Sequence, residues 1–239
     1  AHDIAAEEPS KLAQMQRQWL IEAGKYGVLP IDDRRYERIN PDLAGRPQLI
    51  KGSTQILYAG MRITESSVLN VKNQSHSVTA QVELPDGEAA GVLITQGGEA
   101  GGWTLYCHEG RLTYCYNFFG IDYDIVSSDD VVSSGGAHQL RMEFRYDGGG
   151  LGRGGDVTLY VDGEPVGTGR VKRTIPMGFS ADEACDVGRD TGSPASPDYG
   201  PRDNEFSGHI DWVRIDLGED DHDHLITPEE RFRIAMAKQ

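Results

Sequence analysis

From residue 55 to 217 the chain repeats one pattern: short runs of alternating apolar and polar residues, each closed by a turn signal. The runs 77–84 and 209–215 alternate cleanly. A period of two puts apolar side chains on one face of a half-buried strand. Asp162-Gly163 and Glu109-Gly110 sit between such runs and suit the positive φ angles of two-residue hairpin turns. The pattern predicts strands at 55–63, 77–84, 90–96, 102–108, 111–119, 122–127, 138–146, 156–162, 165–173 and 206–216. Strands with no helices between them must bury their apolar faces against another sheet. The expected fold is therefore all-β: an antiparallel two-sheet β-sandwich of the jelly-roll or concanavalin-like kind.

Helical periodicity appears only at the two ends. Over 9–24, Leu12, Met15, Trp19, Leu20 and Ala23 recur at spacings of three and four. Pro9 opens this helix, and Gly24 or Gly27 can close it. A single short helix with an apolar stripe needs something to pack against. Leu29 precedes Pro30, so 28–34 is extended. Near the other end, Thr227-Pro228-Glu229-Glu230 supplies an N-cap, a proline at the first helical position and a reciprocal glutamate. A short C-terminal helix carrying Phe232 and Met236 should follow. The expected organisation is 1–35 as helix and extended segment, 36–54 as linker, 55–218 as sandwich, and 219–239 as acidic linker and C-terminal helix. Within the sandwich, 174–205 reads as a long loop-rich insertion, and such loops are usually functional or tied down.

Lys plus Arg number 23 and Asp plus Glu 38, a formal net charge of −15. That balance argues against nucleic acid and anionic membrane as partners, since both need basic residues. No apolar run approaches the length of a transmembrane helix. The chain opens Ala1-His2-Asp3 with no basic-then-apolar leader, so it is expected to be a soluble fragment or processed product, cytoplasmic or periplasmic. A turn at Glu109-Gly110 pairs Cys107 with Leu112 and Thr104 with Cys115. Alternation then sends the two thiols to opposite faces, which rules against a disulfide between them.

Three groups of residues are candidate sites. Asp182, Asp186 and Asp190 lie in the long loop with Glu183 and Asp198, and carboxylate oxygens suit Ca²⁺. The competing reading is a loop held by arginine–carboxylate pairs and aspartate–backbone hydrogen bonds. Asp220-Asp221-His222-Asp223-His224 is metal-compatible but reads better as a solvated linker. Trp103, Tyr106, Tyr114, Tyr116, Phe118 and Phe119 concentrate in one hairpin. Trp103 and Tyr116 face each other there, either as a sugar-stacking pair or as core. Asp122 and Asp124 share one strand face, as paired carboxylates of sandwich glycosidases do, or as an ordinary outward face.

Several segments, in order, resemble the C-terminal region of bacterial arylsulfatases of the type I sulfatase family. They are Asp3-Ile4-Ala5-Ala6-Glu7-Glu8-Pro9 with Trp19 and Leu29-Pro30-Ile31-Asp32-Asp33-Arg34; Gly101-Gly102-Trp103-Thr104-Leu105-Tyr106 with Leu112-Thr113-Tyr114 and Asn117; Leu159-Tyr160-Val161-Asp162-Gly163; Asp186-Val187-Gly188-Arg189-Asp190-Thr191-Gly192-Ser193-Pro194; and Phe206-Ser207-Gly208-His209-Ile210. The strand grammar also resembles laminin-G-like sandwiches. The resemblance implies a parent that hydrolyses sulfate esters with formylglycine, made from the Cys of Cys-x-Pro/Ala-x-Arg, and a divalent metal. Cys107-His108-Glu109-Gly110-Arg111 and Cys185-Asp186-Val187-Gly188-Arg189 copy its Cys-to-Arg spacing without Pro or Ala at the third position, so no catalytic residue is assigned. The expected function is a non-catalytic accessory sandwich docked on an upstream sulfatase domain through Leu12, Trp19, Asp32, Asp33 and Arg34. The alternative is a concanavalin-like module that binds carbohydrate. Carbohydrate or a sulfated substrate is the expected ligand; calcium is the one candidate cofactor of this chain, and an oligomer is left open.

Overall fold

The computed structural model describes residues 3–29, 31, 50–132, 134–180, 182–218 and 224–237. The chain divides into two compact units, Ala1–Ile39 and Asn40–Gln239. In the first, α1 spans Pro9–Lys25 with its proline in the first turn. It closes where Gly27 takes φ +65° and Val28 N–H donates to Ala23 O at 2.8 Å, a left-handed cap that needs glycine. Leu12 and Trp19 are 39% and 46% exposed, and Asp32, Asp33 and Arg34 lie outside the described residues.

The second unit is a sandwich of two six-stranded antiparallel sheets. Its strands are β1 Thr54–Leu57, β2 Arg62–Thr64, β3 His76–Leu84, β4 Gly91–Gly98, β5 Gly101–His108 and β6 Arg111–Phe118, then β7 Asp122–Ser127, β8 Gly136–Tyr146, β9 Gly155–Val161, β10 Glu164–Val171, β11 Ala184–Val187 and β12 His209–Leu217. The first sheet runs β1-β12-β3-β8-β9-β10 and the second β2-β11-β4-β5-β6-β7. Two expectations change. The run 55–63 is not one strand: Gly60 at φ +79° turns the chain, so β1 joins the first sheet and β2 the second. The insertion 174–205 is not all loop, because β11 lies between β2 and β4 with all four residues buried.

Alternation decides the core. Val78, Ala80 and Val82 of β3 and Leu140 and Met142 of β8 pack across the sandwich with Trp103, Leu105, Leu112 and Tyr114 of the second sheet. Full burial of each such side chain contributes about 1.5–3 kcal/mol. At one edge the end strands β7 and β10 close on each other. A Cβ on Gly167 would sit 2.5 Å from Ser127 O, and one on Gly169 would sit 2.4 Å from a Val126 methyl. Glycine is what lets these two edges meet, and Asp129 N–H donates to Val166 O at 2.6 Å across the join.

Part of each outer face is also covered. Over the second sheet, the Tyr106 hydroxyl donates to Asp198 Oδ2 at 2.5 Å and lies 3.0 Å from Ser196 Oγ, while Tyr199 packs edge-on against its ring. Over the first sheet lies α2, Pro228–Ala237. Thr227 and Glu230 cap it reciprocally: Glu230 N–H donates to Thr227 Oγ1 at 3.3 Å, and Thr227 N–H to Glu230 Oε2 at 3.4 Å. Phe232 and Met236, which this helix carries as expected, are 66% and 52% exposed. Ile234 packs with Ile226 on Trp212 instead, because it is the residue on the sheet side of the helix.

His76 is buried beside Trp103 and Phe144, with its ring Nδ1 3.2 Å from Gln74 O. Burial holds its pKa down to about 4. The unfolded chain takes up this proton near 6.5 and the folded chain does not. Stability should therefore fall as pH drops from about 6.5 to about 4, by about 3 kcal/mol in total. Denaturant melts across that range should show this slope, and His76→Phe should flatten it. Gly167→Ala should cost about 1–3 kcal/mol by overpacking. Gly87→Ala, where an added Cβ meets nothing within 4 Å, should cost little in the same assay.

Candidate ligand site

The β5–β6 hairpin has the expected register. Trp103 pairs with Tyr116, Leu105 with Tyr114, Thr104 with Cys115 and Cys107 with Leu112. Glu109 and Gly110 take φ +49° and +71°, as a two-residue turn of this kind requires. The candidate sugar-stacking pair lies on the core side. Trp103 is fully buried, and its Nε1–H donates to Gln96 Oε1 at 3.0 Å. Tyr116 is 5% exposed, and its hydroxyl accepts the Ile175 N–H at 2.8 Å. Neither ring faces solvent, so neither offers a stacking surface.

The three cysteines are free and buried. Cys107 belongs to the inter-sheet core and Cys115 to the small cluster on the opposite face, as the register demands. Burial pushes the Cys107 and Cys115 thiols up to about 12, and it pushes Cys185 up as well. A buried thiol that stays protonated at neutral pH is a poor nucleophile. Both Cys-to-Arg spacings are thus strand geometry.

The loop carboxylates act on their own loop. Asp182 is exposed. Asp186 Oδ2 accepts the Thr191 N–H at 3.1 Å and its hydroxyl at 2.6 Å, with Arg62 3.9 Å away. Asp190 accepts N–H bonds from Gly192 at 3.2 Å and Ala195 at 3.1 Å, and the Tyr199 hydroxyl at 3.0 Å. Burial raises its pKa. Among the described residues no group of three or more His, Cys, Asp or Glu side chains converges on a metal-sized site. Asp186 and Asp190 thus take the loop-bracing role that is the competing reading of these aspartates, and 219–223 lie outside the described residues.

What the fold does assemble is a platform at the β6–β7 rim. Phe119 takes φ +57° and is 46% exposed, and Ile121 is 72% exposed. A bulky side chain in the left-handed region costs about 1–2 kcal/mol. Asn117 holds the turn in place: its Nδ2 donates to Gly98 O at 2.8 Å and Glu99 O at 3.1 Å, and its Oδ1 accepts Gly120 N–H at 2.7 Å. Phe118 meets Phe119 edge-on at 4.8 Å, and the Arg173 guanidinium lies 4.1 Å over the Phe118 ring. Arg173 also pairs with Asp122, and Lys172 Nζ sits 2.9 Å from Asp124 Oδ1. Hydrogen bonding to Asp124 raises the Lys172 pKa. Asp122 and Asp124 share a face as expected, but each is matched to its own cation, which leaves no carboxylate pair for acid–base work. The run 111–119 extends as a strand only to Phe118, and Phe119-Gly120 is a turn whose aromatic hides the turn signal.

No protein-family model matches the chain, and no curated protein matches it. Solved structures similar in architecture include the CBM40 of the Ruminococcus gnavus IT-sialidase, at 11% identity and TM-score 0.42 over 79% of this chain and 99% of that one. Domain 4 of AbnA, a GH43 extracellular arabinanase from Geobacillus stearothermophilus in complex with arabinotriose, is 18% identical at TM-score 0.44 over 76% and 81%. Mouse laminin α1 domains LG4-5 are 16% identical at TM-score 0.40 over 69% and 39%.

In native protein all three thiols should resist a thiol-reactive disulfide reagent at pH 8 and react only after unfolding. Rapid labelling of Cys107 or Cys185 in the folded state would contradict their buried placement.

Proposed function

We propose that this chain is a carbohydrate-binding β-sandwich module without a catalytic centre of its own, and that the rim platform is where a sugar docks. One observation carries the reading: Phe119 is held at positive φ with its ring about half exposed, so its strain is only partly offset by burial. Strain of this kind gathers at ligand sites. The flat ring suits the apolar face of a sugar, and the paired Arg173 and Asp122 beside it offer donors and acceptors to hydroxyl groups.

A second reading concerns the parent protein, and the ordered sequence resemblance supports it: an accessory region of an arylsulfatase-like sulfuric ester hydrolase. Its segments have constructive roles in the sandwich. Ser193 Oγ accepts Glu99 N–H at 2.9 Å and donates to Glu183 Oε1 at 2.7 Å, and Thr191 is bonded by Asp186. On that reading formylglycine and the divalent metal belong to the parent's catalytic domain, the exposed residues of α1 face that domain, and the ligand is a sulfated glycan. A Cys-x-Pro/Ala-x-Arg motif upstream in the encoding gene would support it, and an upstream region of unrelated chemistry would end it.

The test of the first reading separates binding from stability. Asn tolerates the left-handed region, so Phe119→Asn should leave Tm unchanged or higher. The same variant should weaken binding to an oligosaccharide array by roughly tenfold, the value of one lost aromatic contact. An array that gives no signal with the parent chain, or an unchanged signal with the variant, would refute the rim as the site.

A further inference from the structure

The middle of the first sheet's outer face is built of polar side chains and is nonetheless buried, while the side chains of Arg145, Asp156 and Arg170 toward its far edge are exposed. Registration sets them in rows. Trp212 of β12, Gln81 of β3 and Gln139 of β8 lie side by side. In the next row Thr79, Arg141 and Tyr160 lie side by side across β3, β8 and β9. Trp212 and Tyr160 therefore stand on strands three steps apart, about 14 Å at ordinary strand spacing. Arg141 is only 3% exposed; its Nη1 donates to Thr79 Oγ1 at 2.7 Å and its Nε to Glu143 Oε1 at 2.8 Å. Gln81 is 6% exposed, and its Oε1 is buried without a hydrogen-bond partner. Burying a polar floor of this size is costly unless each group is matched.

The cover is the chain's own segment 224–227 with α2. Its contacts are those that hold a polar ring ligand. The His224 imidazole lies flat on Tyr160, with centroids 4.4 Å apart and planes at 13°. Glu143 Oε1 reaches its Nδ1 at 2.6 Å. The Gln139 side-chain amide grips Ile226 at both ends, donating to its carbonyl at 3.0 Å and accepting its N–H at 2.8 Å. The anchor beyond these contacts is Ile226 and Ile234 against Trp212, Ile56 and Tyr58, with Arg214 Nη1 3.4 Å from Glu230 Oε1.

We infer that this face is a second carbohydrate-binding surface and that 224–237 is a strap which occupies it until released. Two separated aromatics over a floor of amides, hydroxyls and a matched Arg141–Glu143 pair suit a short oligosaccharide, with the His224 ring standing where one sugar ring would lie. The inference rests on the carbohydrate reading above but not on the rim platform.

The test uses the full chain. Ile234→Asp puts a charge against Trp212 and should release the strap, read as faster hydrogen exchange over 224–237. On the same oligosaccharide array this variant should gain binding at least roughly tenfold, a shift of about 1.4 kcal/mol. Gln139→Ala should remove the gain, and Phe119→Asn should not. A released strap with no gain would overturn the inference, whatever becomes of the rim. A loss confined to Phe119→Asn bears on the rim alone. Should Ile234→Asp fail to fold, the unmodified chain still decides: a glycan on this face must compete with the strap, so excess of the array's tightest oligosaccharide should speed exchange over 224–237 in the Phe119→Asn background. Unchanged or slower exchange there would overturn it.

Discussion

A polar group taken out of water must find a partner, and that constraint shapes everything outside the inter-sheet core. Each sheet of this sandwich buries its inner face and part of its outer one. The inner faces meet as apolar side chains and need only shape. The covered parts of the outer faces are sequestered by later segments of the chain, so their polar residues have to be answered one by one. Tyr106 is answered by Asp198 and Ser196, Asp190 by the Tyr199 hydroxyl and the Gly192 and Ala195 amides, and Gln139 by both polar backbone atoms of Ile226. These contacts fix the course of 189–205 and 224–227 more narrowly than burial of apolar area would, because a hydrogen bond has direction.

Period-two alternation was the most readable part of the sequence. It placed the hairpins, the two turn pairs, the facing of Trp103 and Tyr116, and the opposite facing of Cys107 and Cys115. It failed where its physical basis fails. Strand β11 is covered on both faces, so Ala184-Cys185-Asp186-Val187 has no polar side to alternate with. The break at Gly60 is a change of sheet within an unbroken apolar run, and alternation does not report which sheet a strand joins. The covers of the outer faces depend on contacts between residues about 90 positions apart, such as Tyr106 with Ser196, and no local pattern encodes those. The helix cap was legible because it is local: Thr227 and Glu230 are three residues apart. Which residue of α2 packs was not, since that depends on where the helix lies on the sheet.

The same logic explains why the expected sites moved. An aromatic cluster in a sandwich hairpin alternates like everything else, so half of it goes to the core. Trp103, Tyr114 and Tyr116 went there because they share the inward face. Phe119 escaped because it sits after the strand has ended, where alternation no longer governs. The aspartates of the long loop were plausible calcium ligands by composition. Asp190 accepts three hydrogen bonds and Asp186 Oδ2 two, the loop-bracing role, while Asp186 Oδ1 is buried without a hydrogen-bond partner among the described residues.

The Cys-to-Arg spacings make the same point about chemistry. In a flexible or exposed setting, a thiol four residues from an arginine can be activated by the positive charge. In this fold the four-residue offset spans a hairpin turn at Cys107 and the end of a buried strand at Cys185. There the surroundings act on the thiol by desolvation, which favours the neutral form. The rim platform and the face under 224–237 are two places among the described residues where polar and aromatic side chains gather. They differ in what sets each apart, one by backbone strain at a half-exposed ring and the other by polar groups buried under a segment proposed to release.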